Sequence, residues 1–352
     1  MACKRVHWQA MTLPDKRPTI DQVARLAKVS TATVSRVLNQ PESVSDDLRK
    51  KVSSAVAELG YVPNAGARSL MLRRSGTVGA VFPTVDNAIF AKAIDALQRR
   101  LAQSNIQLFI ATSGYDLATE TRQAISLVTS GADALALCGF SQAPELMRFL
   151  RQRKLPCVHV MVHEPSGEHV SVGFDNRGAM SRATHYLIDL GHRRIAMLAG
   201  VSRHNDRAEQ RVEGVRTALA AAGLTLPREY LVERSYSLAD ARDGMRQLMS
   251  RRKRPTAVIC GNDVLAFGAL LEAETLGLKV PADVSILGFD DLELARHVKP
   301  ALTTVRVETE EMWSKAADRL IAALRGEDFP RSTELDVALV VRQSTGPVAV
   351  AV

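Results

Sequence analysis

The chain has 352 residues, enough for two or three domains with cores of their own, and its 46% hydrophobic and 24% charged residues are the proportions of a folded globular protein, not a disordered one. No run approaches the roughly 18 apolar residues of a spanning helix, and the basic, polar opening stretch has no apolar segment behind it as a secretory signal would, so a cytoplasmic protein without membrane contact is expected. The formal charge is +8, and residues 1–75 carry 13 Lys and Arg against 6 acids, leaving 33 and 32 for the other 277; this asymmetry predicts a small polyanion-binding domain joined to a near-neutral body.

Thr19 followed three residues later by Gln22 forms a capping box, so a short helix is predicted from there, with Ile20, Val23, Ala24 and Ala27 at helical spacing. It must stop near Lys28 and Val29, because Ser30 can cap a second helix after a tight corner. In that second helix Val34, Val37 and Leu38 form the inward stripe, and Thr31, Ala32, Ser35, Arg36 and Asn39 are left on the other faces, mostly small or polar and fit to enter a groove. Ser45, Asp46 and Asp47 open a third helix with acids at its positive end, and Leu48, Val52, Val56 and Leu59 close a small core before Gly60. The pattern predicts a three-helix helix-turn-helix domain.

From Gly76 onward, apolar β-rich runs alternate with amphipathic helical ones. Strands are predicted at 76–82, 106–112, 132–137 and 157–162, with helices at 89–102, 121–128 and 144–151 between them. A second series follows: strands at 194–199, 257–260 and 284–289, and helices at 177–190, 209–222, 239–249 and 265–276. A strand at 302–307, a helix at 311–324 and one last strand near 335–341 imply that the chain crosses between two doubly wound α/β lobes more than once. Ligands of open α/β sheets gather beyond the carboxyl ends of the strands, which puts a small-molecule site in the cleft between the lobes. Cys3, Cys138, Cys157 and Cys260 are far apart, with no Cys-x-x-Cys, and read as free thiols; no metal and no cofactor is expected.

The blocks Thr19-Ile20-Asp21-Gln22-Val23-Ala24, Val29 through Asn39 and Gly60-Tyr61-Val62-Pro63-Asn64 resemble the LacI/GalR family of bacterial transcription regulators. The resemblance extends through the body in Val172-Gly173-Phe174-Asp175-Asn176, Leu190-Gly191-His192-Arg193, Arg211-Val212-Glu213-Gly214, Cys260-Gly261-Asn262-Asp263, Ile286-Leu287-Gly288-Phe289-Asp290-Asp291 and Leu302-Thr303-Thr304-Val305, which are similar to the type I periplasmic sugar-binding fold. It implies an arm over 1–18, a DNA-binding domain over 19–63, a hinge helix and linker over 64–75 and a body over 76–352. Lobe one would take about 76–173 and 307–336, and lobe two about 174–306 and 337–352.

By that resemblance Thr31, Ala32 and Arg36 occupy base-reading positions, while Ser30, Thr33, Ser35 and Asn39 face phosphates. Asn64, Arg68 and Leu70 belong to the hinge, with Leu70 as the wedge between base steps in the minor groove. In the body, Asn87, Phe90, Arg211, Tyr236, Asn262 and Asp290 fall around the cleft, with forked donors and acceptors for hydroxyls and flat apolar ring faces. Arg211 is expected to open its helix. Asn262 and Asp263 divide between ligand contact and helix cap, the cap being favoured for Asp263, and Asp290 is preferred to Asp291. His163, Arg203, His204 and Arg207 are further cations near the cleft. Two positions depart from the family pattern, Ile89 where an aromatic is common and Val160-Met161-Val162 where an Asp often ends the strand.

The expected function is that of a repressor, acting as a homodimer on a near-palindromic double-stranded operator and controlled by a sugar or sugar acid such as gluconate. An enzyme is disfavoured, because Gly-x-x-x-x-Gly-Lys-Ser/Thr, Gly-x-Ser-x-Gly and His-Glu-x-x-His are all missing and Gly76-Thr77-Val78-Gly79 lacks the third glycine of a dinucleotide turn. A transport solute-binding protein would not carry the basic opening domain.

Overall fold

The computed structural model describes residues 18–62 and 75–348. They fall into two compact units that divide between Ser75 and Gly76. In the first unit α1 (Ile20–Ala27), α2 (Thr31–Asn39) and α3 (Asp46–Leu59) follow one another, with a 3₁₀ turn at Pro41–Ser43. Both halves of the capping box at Thr19 and Gln22 form, and α1 ends on Lys28 in the left-handed conformation (φ 55°), which turns the chain into the corner before α2. Ser30 caps α2 by accepting the Thr33 N–H at 3.1 Å, whereas Ser45 precedes α3 without a side-chain cap bond. Val23, Val34, Val37, Val52 and Ala55 are buried together, so each helix contributes its apolar stripe to one small core.

The second unit contains two six-stranded sheets. The first holds β1 (Thr77–Phe82), β2 (Gln107–Thr112), β3 (Ala134–Cys138), β4 (Cys157–Val160), β5 (Ser171–Gly173) and β11 (Ser332–Glu334), in the order β11-β5-β4-β3-β1-β2. The second holds β6 (Ile195–Gly200), β7 (Leu231–Arg234), β8 (Ala257–Cys260), β9 (Ser285–Asp290), β10 (Thr303–Val307) and β12 (Val337–Val340), in the order β12-β10-β9-β8-β6-β7. The two orders repeat one doubly wound plan, parallel except where β12 runs against β10. Strands β1, β3, β6, β8 and β9 are buried throughout, which is why they read as continuous apolar runs without alternation.

Helices α4 (Ala88–Ala102), α5 (Leu117–Thr129), α6 (Pro144–Gln152) and α11 (Thr309–Arg325) serve the first sheet; α7 (Asn176–Asp189), α8 (Asp206–Ala221), α9 (Leu238–Met249) and α10 (Asp263–Thr275) serve the second. The chain passes between the sheets after β5, after β10 and again after β11. The single strand expected near 335–341 is therefore two: Ser332–Glu334 pairs with β5, and Val337–Val340 pairs with β10 in the other sheet, so the residues between them are spent on the last crossing. Two short strands, β5 and β7, were not expected from the sequence at all; at 3 and 4 residues they are too brief to carry a period. Cys138 and Cys260 are buried free thiols and Cys157 is half-buried; Cys3 lies outside the described residues. No described helix is long and apolar enough to cross a membrane.

Candidate functional site

The carboxyl ends of both sheets meet at a cleft, lined by side chains that follow β1, β2, β4, β6, β7 and β8 and by the last residue of β9. From the first lobe come Asn87, Ile89, Phe90, Tyr115 and Met161; from the second come Asn205, Arg207, Ala208, Arg211, Tyr236, Asn262 and Asp290. All six residues placed around the cleft by resemblance line this one space. Asn87 caps α4 through the Ile89 N–H at 3.3 Å, and Phe90 sits on the first turn, buried edge-on against Phe82 with centroids 5.9 Å apart. Asn262 is the cap of α10, accepting the Leu265 N–H at 3.0 Å. It thus caps its helix while lining the cleft. Asp263 is not the cap: it is buried inside the lobe, accepting the Leu292 N–H at 2.7 Å and the Thr304 hydroxyl at 2.6 Å.

Arg211 does not open its helix. Asn205 caps α8, which starts at Asp206 and so places Arg211 well inside it; the reason for a cation there is tertiary rather than dipolar. Its Nε donates to Asn176 Oδ1 at 2.9 Å and its Nη1 to the Gly261 carbonyl at 2.7 Å, while the guanidinium carbon stands 3.7 Å from the Phe289 ring centroid. Asn176 in turn donates to the Met161 carbonyl at 3.0 Å, tying the first lobe to the Arg211 anchor. One buried oxygen of Asp290, Oδ1, has no hydrogen-bond partner, and the residue has a φ of 112°. Burial pushes the Asp290 carboxyl up to about 7, with the Arg211 charge pulling the other way. Its neighbour Asp291 is spent on ion pairs with Arg306 at 2.8 Å and Arg342 at 2.6 Å.

Sequence reasoning did not single out Tyr115, Asn205 or Ala208; it noted Met161 and Ile89 only as departures from the family pattern, and it ranked Arg207 only among general cations near the cleft. Arg207 is buried and donates to the Cys138 carbonyl at 3.0 Å and to Asp206 at 2.8 Å. Tyr115 and Tyr236, one from each lobe, lie with ring centroids 5.8 Å apart, and Tyr236 accepts from Asn205 Nδ2 at 3.3 Å. A Cβ on Gly200 would overlap the Tyr236 ring, so glycine at the end of β6 makes room for it. The space left between these groups is about 30 Å³, room for a water or two. Arg203 and His204 line a separate hollow beyond Tyr115 and Tyr236, and His163 stands 3.5 Å from Glu334.

In the first unit, Ser30, Thr31, Ala32 and Arg36 are exposed while Thr33 and Ser35 are half-buried. The Ser30 and Thr33 hydroxyls bond each other at 2.8 Å. Asn39 is the last residue of α2. Asn64, Arg68 and Leu70 lie outside the described residues.

Comparison with known proteins supplies the context for this geometry. Residues 19–64 match the model of bacterial regulatory proteins of the lacI family, and residues 184–345 match that of the periplasmic binding protein-like domain. The chain is 33% identical to the ribose operon repressor of Haemophilus influenzae over 93% of its own length and 98% of the relative's. It is likewise 33% identical to the HTH-type transcriptional regulator GntR of Escherichia coli, over 92% and 97% of the two chains. The lac repressor dimer bound to operator and the anti-inducer ONPF superimposes with a TM-score of 0.84 at 26% identity, covering 94% of this chain and 100% of that one. The chain belongs to the lacI family of bacterial regulatory proteins, as a DNA-binding transcriptional repressor with an effector-binding body.

Proposed function

We propose that the protein represses transcription as a homodimer on a near-palindromic operator and that a small polar metabolite, a sugar or sugar acid, governs it from the cleft between the lobes. The observation that carries this reading is the convergence of Asn87, Phe90, Arg211, Tyr236, Asn262 and Asp290 on one space. A buried Asp290 oxygen has no hydrogen-bond partner there and is suited to accept from a ligand hydroxyl. Two ring faces and several forked amide and guanidinium groups match the alternating apolar and polar surfaces of a sugar. The two buried guanidiniums, Arg207 and Arg211, favour an acid among such ligands.

Thr31, Ala32 and Arg36 on the exposed side of α2 take the base edges, with Ser30, Thr33, Ser35 and Asn39 toward the phosphates and Asn64, Arg68 and Leu70 in the adjoining hinge. Dimerisation follows from the two-fold geometry of operators, and the lac repressor, a relative of known assembly, binds its operator as a dimer. Effector binding then works by its differential affinity for two arrangements of the lobes. The test is a thermal-shift screen of the full chain against neutral sugars and sugar acids, followed by operator binding with the best ligand present. A ligand at 100 times its dissociation constant adds about 2.7 kcal/mol of stability. Failure of both classes to raise the melting temperature, or a hit that leaves operator affinity unchanged, overturns the reading.

A further inference from the structure

The opposite end of the second sheet carries a second concavity that the cleft does not use. At the amino ends of β6, β7 and β8, a pocket of about 600 Å³ is lined by Arg193, Arg194, Arg251, Arg252 and Lys253, with Glu229 its single acid. That volume is in the range of small-molecule sites. The basic loop 251–253 is held in place from below: Tyr230 donates to the Lys253 carbonyl at 2.6 Å and Arg194 to the Arg254 carbonyl at 2.9 Å. Of the pocket's cations, Arg193 and Arg194 are held by carbonyls, not by carboxylates. None of the five forms an ion pair with a carboxylate among the described residues, whereas Arg242, Arg246, Arg306 and Arg342 in the same lobe all do. The Arg251 Nε is buried without a hydrogen-bond partner.

A plainer account is that these cations answer helix ends, since α7, α8 and α9 all finish near this edge and Arg193 does donate to the Ile188 carbonyl at 3.0 Å. Magnitudes decide against it as a full explanation. Three helix ends supply about half a negative charge each, and with Glu229 they leave about two and a half positive charges uncompensated. Arg is also the side chain that grips phosphate oxygens in a fork, and four of the five cations are Arg. The walls between them, Ile195, Leu224 and Pro227, are apolar, so the cations are the groups there that a charged ligand would meet.

We propose that this pocket binds a small molecule carrying two or more adjacent phosphate groups, as a site separate from the cleft and independent of the cleft's ligand. The probe is inorganic tripolyphosphate, titrated calorimetrically into the full chain near physiological ionic strength, against wild type, the triple variant R251Q/R252Q/K253Q and the single variant E229Q. Saturable binding is expected, weakened about tenfold or more in the triple variant and strengthened several-fold in E229Q, where a like charge is removed. A gain in E229Q cannot come from misfolding. The basic amino-terminal unit is the competing anion binder. Equal affinity in wild type and triple variant assigns the anion to that unit and overturns the proposal, as does an unchanged affinity in E229Q. A triple variant that loses affinity for a non-operator duplex in step with tripolyphosphate makes this a DNA-backbone contact and overturns it too.

Discussion

Asp206 at the start of α8 accepts the backbone N–H of Phe140 across the cleft at 2.8 Å, so the second lobe caps the end of a first-lobe strand. The adjacent Arg207 donates to the Cys138 carbonyl at 3.0 Å, and Ser141 Oγ receives the Asp206 N–H at 3.1 Å. The clasp is possible because residue 139 is glycine: its φ is 74°, and a Cβ there would overlap both Asp206 and Arg207. This clasp joins the Asn176–Met161 bond and the Tyr115–Tyr236 contact in holding the lobes together.

Gly139→Ala is accordingly expected to destabilise the body by more than the 1–2 kcal/mol that a left-handed alanine costs on its own, since the clasp must also part. Denaturant unfolding gives the loss, and small-angle scattering of the ligand-free protein should show a larger radius of gyration. A variant with wild-type stability and dimensions would mean that the lobes close without the clasp.

Asp290 links the cleft to pH. Its folded value, raised by burial to about 7, lies above the roughly 4 of an unfolded aspartate. The folded state therefore keeps the proton longer, and this group's contribution to stability falls as pH rises from about 4 to about 7 and levels off above. Asp290→Asn cannot titrate, so the stability difference between wild type and variant should decline across that window. A difference flat from pH 4 to 8 would place the Asp290 carboxyl near its ordinary value.

Local signals made part of this molecule legible. The capping box at Thr19 and the cap at Ser30 are spelled in consecutive residues, and the buried strands of both sheets announce themselves as unbroken apolar runs. What failed was either too short or set by distant partners. Arg211 read as a helix opener because Glu209 and its neighbours look like a start; Asn205, four residues before Glu209, takes the cap instead. Met161 and Tyr115 enter the cleft from turns with positive φ, 71° and 63°, and nothing in their flanking sequence shows which lobe they will face. Arg207 is recruited by a carbonyl 69 residues away. The cleft-lining residues named from the sequence came from matching a family pattern, not from periodicity.

The cap at Ser30 allows a test that separates folding from DNA contact. Its hydroxyl satisfies the Thr33 N–H and meets the Thr33 hydroxyl, so Ser30→Ala should cost the amino-terminal unit about 1 kcal/mol. Ser30→Asp keeps a cap acceptor and adds favourable charge at a helix start, restoring thermal stability while repelling phosphates. Operator affinity should drop in Ser30→Asp even though stability returns. Recovery of both together would make Ser30 a cap alone.

Arg36 is the exposed cation on α2 and the residue best suited to a bidentate contact with guanine. If it reads a base, Arg36→Ala should cost about 1–3 kcal/mol of operator affinity, with specificity lost at one base pair in each half-site. Lys50 is exposed on α3 and supplies the contrast: if it meets a phosphate, Lys50→Ala should weaken all sequences alike and reduce the log-log salt slope by about 1. Both are read from binding to an operator library at several salt concentrations. Were Arg36→Ala to behave like Lys50→Ala, uniform across sequences with a shallower slope, Arg36 would be holding the backbone and base reading would pass to Thr31 and Ala32.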